Sequence, residues 1–257
     1  MNSTPLSPLL RSFAKSAEFQ QLIKSLQSDQ PRTTASLPEP ATGYLIATMW
    51  QTLSVPTLVL VPRPESVKRL SDQLLFWLGL NAPVYQFSEI DTVPYEHLTR
   101  DVFGVYDRVK ALAAFNGHGT EHSGPALVVA SAASTSQRVV NASVFRDAIH
   151  TIRVGDKISI DALADRWIRM GYSFEHVVES PGMASRRGGI LDVYTPSISL
   201  PVRIEFFGNN VESIRVFDPT TQRSTVEWES ATIVPAQDIL PGLAASKNVQ
   251  RCIDDMD

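Results

Sequence analysis

"SRRGGILDVYTPSISLPVRIEFFGN", residues 185–209, decides how the second half of the chain folds. Its run "VRIEFF" alternates. On a strand successive side chains point to opposite faces, so Val202, Ile204 and Phe206 share one face while Arg203, Glu205 and Phe207 share the other. The first is an ordinary core face. The second sets a bare aromatic ring among charges on the side that should be wet. Two readings of Phe207 stand. It is either a single exposed apolar side chain, which needs no explanation, or the centre of a protein-binding patch, because a ring flanked by arginines is the composition of interface hot spots.

Strand texture extends in both directions from this stretch. Strands are expected over 183–187, 189–195, 201–207, 211–217 and 225–234, with turn chemistry in Gly208-Asn209-Asn210 and Asp218-Pro219. Before them, "HTIRVGDKISI" (150–160) reads as strand, turn and strand, "DALADRWIRMG" (161–171) as a short helix, and "YSFEHVVES" (172–180) as a strand. Residues 142–232 therefore form a strand-rich α+β domain.

Upstream the pattern is different. "PTLVLVP" (56–62), "APVYQFSEI" (82–90) and "PALVVASAAS" (125–134) are apolar runs of strand length, separated by helical patterns at 65–79 and 102–117. Strands alternating with helices imply a mainly parallel sheet covered on both faces, here over residues 1–141. An amphipathic helix over 8–28 and a Pro/Ser/Thr-rich linker precede it. Residues 233–257 begin a segment they do not finish, so the chain is expected to be a piece of something longer.

Composition narrows the function classes. In 257 residues the chain is 43% apolar and 19% charged, with one cysteine, Cys252, and a net charge of −4. It cannot close an internal disulfide, and no run approaches a bilayer span, so a cytoplasmic location and no membrane partner are expected. Residues 1–141 carry 11 Lys+Arg against 11 Asp+Glu, and residues 142–232 carry 10 against 12, so neither part is a basic module that would be steered onto nucleic acid. A DNA contact would have to rest on local geometry, and the helix bearing Arg100, Arg108 and Lys110 is the candidate. "HGTEH" (118–122) sits in a Gly-rich stretch and reads as a solvated loop in preference to a metal site, and no His-x-x-x-His pair lies on one helix face.

An α/β domain that used a nucleotide would carry its phosphate loop before the first strand. That position reads "PEPATGYL" (38–45). Phosphate binding there needs glycines for backbone N–H groups, a lysine and a metal-binding hydroxyl. Only Thr42 and Gly43 remain of such a loop. Pro38 and Pro40 lack donors, Glu39 repels phosphate, and Tyr44 and Leu45 stand where lysine and hydroxyl belong.

Residues 171–224, "GYSFEHVVESPGMASRRGGILDVYTPSISLPVRIEFFGNNVESIRVFDPTTQRS", and 89–112, "EIDTVPYEHLTRDVFGVYDRVKAL", resemble the N-terminal UvrB-like module of bacterial transcription-repair coupling factors (Mfd), and more distantly the UvrB excision-repair helicase. The resemblance implies a degenerate RecA-like (P-loop NTPase-like) domain interrupted by an inserted UvrA-binding domain. It places the UvrA contact on Arg187, Arg203 and Phe207. It implies no catalysis and no cofactor in this chain. In the full-length parent it implies ATP and Mg, with RNA polymerase and double-stranded DNA as further partners of an ATP-driven translocase. The rival readings are an active UvrB-like ATP-dependent helicase and a DNA-binding module.

Overall fold

The structure, a computed structural model, describes residues 6–28, 33–90, 102–117, 124–240 and 243. The chain folds as two compact units, Met1–Glu89 with His122–Thr135, and Ile90–Glu121 with Ser136–Asp257.

The first unit holds helices α1 (Ser7–Ala14), α2 (Ala17–Leu26), α3 (Thr42–Leu53) and α4 (Pro64–Leu78), and strands β1 (Thr57–Val61), β2 (Val84–Phe87) and β3 (Leu127–Ser131). The sheet runs β1-β3-β2 with both pairs parallel, as the alternation implied. Val59, Val61, Leu127 and Val129 pack against Ala47 of α3 and Leu70 and Leu74 of α4. The helix expected over 8–28 is two helices. The Ser16 hydroxyl accepts a hydrogen bond from the Phe19 backbone N–H at 3.3 Å, so it caps α2 and starts a new helix where the apolar spacing alone suggested continuity. Helix α3 did not stand out in the sequence.

The second unit contains α5 (Val102–Phe115), α7 (Ala142–Ala148), α8 (Ile160–Arg169) and strands β4 (His150–Arg153), β5 (Ser173–Phe174), β6 (Met183–Arg187), β7 (Ile190–Val193), β8 (Val202–Phe207), β9 (Asn210–Phe217), β10 (Ser224–Trp228) and β11 (Ser230–Ile233); the short α6 (Ala132–Ser136) follows β3. Six strands form one sheet in the order β10-β9-β8-β7-β6-β5, and β11 pairs with β4. The expected strand over 225–234 is thus two, serving different sheets. The strand expected over 172–180 shortens to two residues paired parallel to β6, and the "KISI" segment contributes a single bridge, Lys157 with Asn210. Helix α8 lays Leu163 and Trp167 on a core made of Ala184, Leu191, Val193, Val202, Ile204 and Ile214. Its other end of the amphipathic stripe is fixed by Ser159, whose hydroxyl accepts from the Ala162 N–H.

Helix α5 belongs to this second unit, although the βα alternation groups it with the first. Val105, Val109 and Ala113 pack on Phe145 and Val234. Between them Arg108 is fully buried, donating from Nε to Asp238 Oδ2 at 2.7 Å and from Nη1 to Gln137 Oε1 at 3.0 Å. Gln137 in turn bonds both the N–H and the carbonyl of Ile90. One polar hub therefore ties together residues 90, 108, 137 and 238. Because removing one member of a buried pair strands the other charge, Asp238→Ala should lower stability by about 3 kcal/mol. Breaking the exposed pair of Arg186 with Asp161 should cost less than about 1 kcal/mol. Denaturant titration of the two variants checks both.

His150 is held neutral. Its Nε2 accepts from Trp167 Nε1–H at 3.1 Å while Nδ1 faces the Ala148 carbonyl at 3.0 Å, which fixes the proton on Nδ1. Burial lowers its pKa to about 4, with the Arg166 charge acting in the same direction and the Ala148 bond opposing. The unfolded chain takes up this proton near pH 6.5, the fold only near 4, so stability is full above pH 6.5 and declines as pH falls between those values. The melting temperature should drop across that window, and a His150→Gln variant should flatten the decline.

Candidate functional site

The outer face of the six-stranded sheet is built from strand alternation and register. Along β8 the burial alternates as expected, with Val202, Ile204 and Phe206 buried and Phe207 77% exposed. Register then sets the rows. Ser185, Asp192, Arg203, Arg215 and Glu227 lie side by side across β6 to β10, and Arg187, Ile190, Glu205 and Ser213 form the next row. Phe207 comes one step further, paired with Asn210 beside the Gly208-Asn209 turn, where Gly208 adopts φ +60°. The β6–β7 connection is as tight. A side chain at Gly189 would stand 2.9 Å from the Phe206 carbonyl oxygen, and Phe206 N–H donates to the Gly189 carbonyl, so the glycine lets this turn lie against β8 just where Phe207 emerges.

All three residues singled out by the resemblance stand on this face, but they are not alike. Arg187 is half exposed, with Nη2 3.8 Å from Asp192 Oδ2. Arg203 is only 17% exposed and its fork is already engaged: Nε donates to Asp192 Oδ1 at 2.7 Å and Nη2 to Oδ2 at 2.8 Å. Nη1 reaches the Gln222 carbonyl at 3.3 Å, and the guanidinium carbon sits 4.8 Å from the centre of the Phe217 ring. The bond to Asp192 raises the Arg203 pKa above its ordinary range. The Arg203 fork is therefore not free to clamp a partner's carboxylate in two parallel bonds. Its bidentate partner is internal.

Asp192 is the residue that sequence reasoning passed over. Its side chain is 1% exposed, yet it lies on the outer face because β7 places it opposite Arg203 and Ser185. Two arginines share it. The signal was present: an aspartate breaking the apolar run "GGILDVY" on a strand needs a buried cation. On the other flank, Arg215 is shared by Glu205 at 3.4 Å and Glu227 at 3.2 Å, and Ser213 donates to Glu205 at 2.8 Å.

The remaining candidates are placed elsewhere. Arg108 is inside the hub with Asp238, its side chain fully buried and its Nε and Nη1 turned onto Asp238 and Gln137. Lys110, on the same helix, is half buried, and Arg100 lies outside the described residues, as do the "HGTEH" loop, Cys252 and the tail beyond 243. Thr42 opens α3, while Gly43 is buried against α4, where an added Cβ would come within 2.9 Å of Gln73 Cβ. Tyr44 packs between Phe13 and Trp77 at 4.9 and 4.7 Å and donates its hydroxyl to the Leu9 carbonyl at 2.9 Å. These residues do helix packing. Among the described residues no group of three His, Cys, Asp or Glu could hold a metal ion, and no helix is long and apolar enough to cross a membrane.

Comparison with known proteins places the face in a class. Residues 135–238 match the family model of the UvrB interaction domain, which spans the whole six-stranded sheet. The chain is 35% identical over 227 residues to the transcription-repair-coupling factor of Myxococcus xanthus, covering 86% of this chain and 19% of that protein. It is 28% identical over 233 residues to the factor of Staphylococcus haemolyticus, covering 91% and 19%, and 38% identical over 114 residues to that of Bacillus subtilis, covering 44% and 10%. The chain is a UvrB-like module of the transcription-repair-coupling factor family. It spans about a fifth of the length of the first two relatives.

Because Asp192 is buried, Arg203→Ala should destabilise this unit by roughly 2–3 kcal/mol through the stranded carboxylate. A paired Asp192→Leu, Arg203→Met variant, which leaves no buried charge, should recover part of that loss in thermal unfolding. Equal stability of Arg203→Ala and the parent would show the pair to be inconsequential.

Proposed function

We propose that this chain is the N-terminal, UvrA-recruiting module of a transcription-repair coupling factor, and that the UvrA contact is the outer face centred on Phe207. The observation carrying this reading is a phenylalanine ring 77% exposed at the tip of the β8–β9 hairpin, on the same face as Arg187, within the matched UvrB interaction domain. An aromatic ring held clear of the surface by a short hairpin enters a partner's pocket at little conformational cost, since the strand already fixes its backbone. Arg187 supplies the adaptable charge. Arg203 keeps Asp192 neutralised beside it on the same face.

The first unit, in this reading, is a degenerate RecA-like domain that does not hydrolyse ATP. Its support is chemical: at the expected phosphate position Gly43 packs on Gln73 and Tyr44 on two rings, and residues 38–45 contain no lysine. ATP and Mg, RNA polymerase and double-stranded DNA are proposed as ligands of the longer parent protein, which would act in the cytoplasm as an ATP-driven DNA translocase. The burial of Arg108 weighs against a DNA-binding role for α5.

Calorimetric titration with UvrA tests the site. Phe207→Ala should weaken binding by about 2 kcal/mol, and Arg187→Ala by less, with both melting temperatures unchanged. UvrA affinity that survives Phe207→Ala undiminished would remove the site assignment. Tight magnesium-ATP binding by the chain would overturn the reading of residues 38–45.

A further inference from the structure

The charges on the outer face do not cancel locally. On the β6–β8 side one carboxylate, Asp192, is shared by two guanidiniums, Arg203 and Arg187. On the β8–β10 side one guanidinium, Arg215, is shared by two carboxylates, Glu205 and Glu227. Counted by ion pairs each cluster is unbalanced by one charge, in opposite senses, while the Glu205 charge also acts on Arg203 across the boundary between them. Burial decides where the surplus is displayed. Asp192 and Arg203 are largely covered, so the positive surplus appears on Arg187, 51% exposed at one flank. Glu205 is about one-third exposed and also held by Ser213, so the negative surplus appears on Glu227, 77% exposed at the other.

Four strand spacings separate Arg187 on β6 from Glu227 on β10, or roughly 19 Å at ~4.8 Å each. That exceeds the Debye length of about 8 Å at physiological ionic strength, so the two ends do not screen one another and each meets a partner group on its own. Phe207 emerges from β8, the strand midway between them.

We infer that the face is a polarised docking surface whose partner presents a carboxylate opposite Arg187 and a cationic side chain opposite Glu227, on either side of an apolar socket for Phe207. This rests on the reading that the face binds UvrA, and it makes Glu227 a specificity residue of that contact. The ring supplies the anchor, while the two opposite charges fix the direction in which the partner lies across the strands. A surface docked the other way round would place like charges together at both flanks.

A uniformly acidic partner surface, the simplest match to exposed arginines, gives the contrary expectation for Glu227, so one substitution separates them. UvrA affinity and association rate are measured for Glu227→Lys and Phe207→Ala. Glu227→Lys should weaken binding at least fivefold, mostly in the association rate, and the loss should shrink in about 0.5 M salt, where the Debye length is only a few ångströms. Unchanged or tighter binding of Glu227→Lys overturns the polarised face. Thermal unfolding guards against misfolding, since Arg215 keeps Glu205 as a partner; a Glu227→Gln variant, which keeps the shape, should show a smaller loss in the same direction. If Phe207→Ala binds UvrA as well as the parent does, the site itself fails, a result distinct from a neutral Glu227→Lys.

Discussion

One buried carboxylate organises the outer face of the six-stranded sheet. Asp192 sits in the central part of this sheet, on the face opposite α8, and is nonetheless almost inaccessible. A lone carboxylate there would be strongly unfavourable. The bidentate bond from Arg203 makes it tolerable, and the Phe217 ring beneath the guanidinium leaves that arginine little freedom to do anything else. What remains for a partner is then set by subtraction: Arg187 has a share of Asp192, not the whole of it, and Phe207 is 77% exposed. The outer face is less a row of three equivalent side chains than a fixed pair supporting two displayed groups.

The support behind the sheet follows the same logic. Trp167 on α8 fills the core under β7 and β8 and fixes the neutral tautomer of His150, while Arg108 and Asp238 join α5 to the end of the described chain. Both polar contacts are buried and fully directed, which makes the unit rigid at the cost of sensitivity to acid and to single substitutions. A docking face gains from this, because little ordering is left for the moment of binding.

Much of this was legible in the sequence. Strict alternation in "VRIEFF" placed Phe207 outside and Phe206 inside, and the turn residues after it gave the hairpin. Apolar runs with helices between them gave the parallel β1-β3-β2 sheet. What the sequence did not disclose depends on tertiary partners. Arg108 looked available for a DNA contact because its partner, Asp238, lies 130 residues away. Arg203 looked free for the same reason in miniature: Asp192 is 11 residues earlier, and only the β7–β8 register brings the two opposite. The break at Ser16 and the split at Glu229 were hidden because a cap and a change of sheet leave the apolar pattern intact.

The central claim is that UvrA covers the outer face at Phe207. Hydroxyl-radical footprinting, read by mass spectrometry with and without UvrA, tests it without altering a residue. Phe207 and Phe103 are about equally exposed, at 77% and 78%, which makes Phe103 on α5 an internal reference. The account predicts that UvrA suppresses oxidation of Phe207 and leaves Phe103 as it was. Oxidation of Phe207 that continues unchanged in the complex would contradict it.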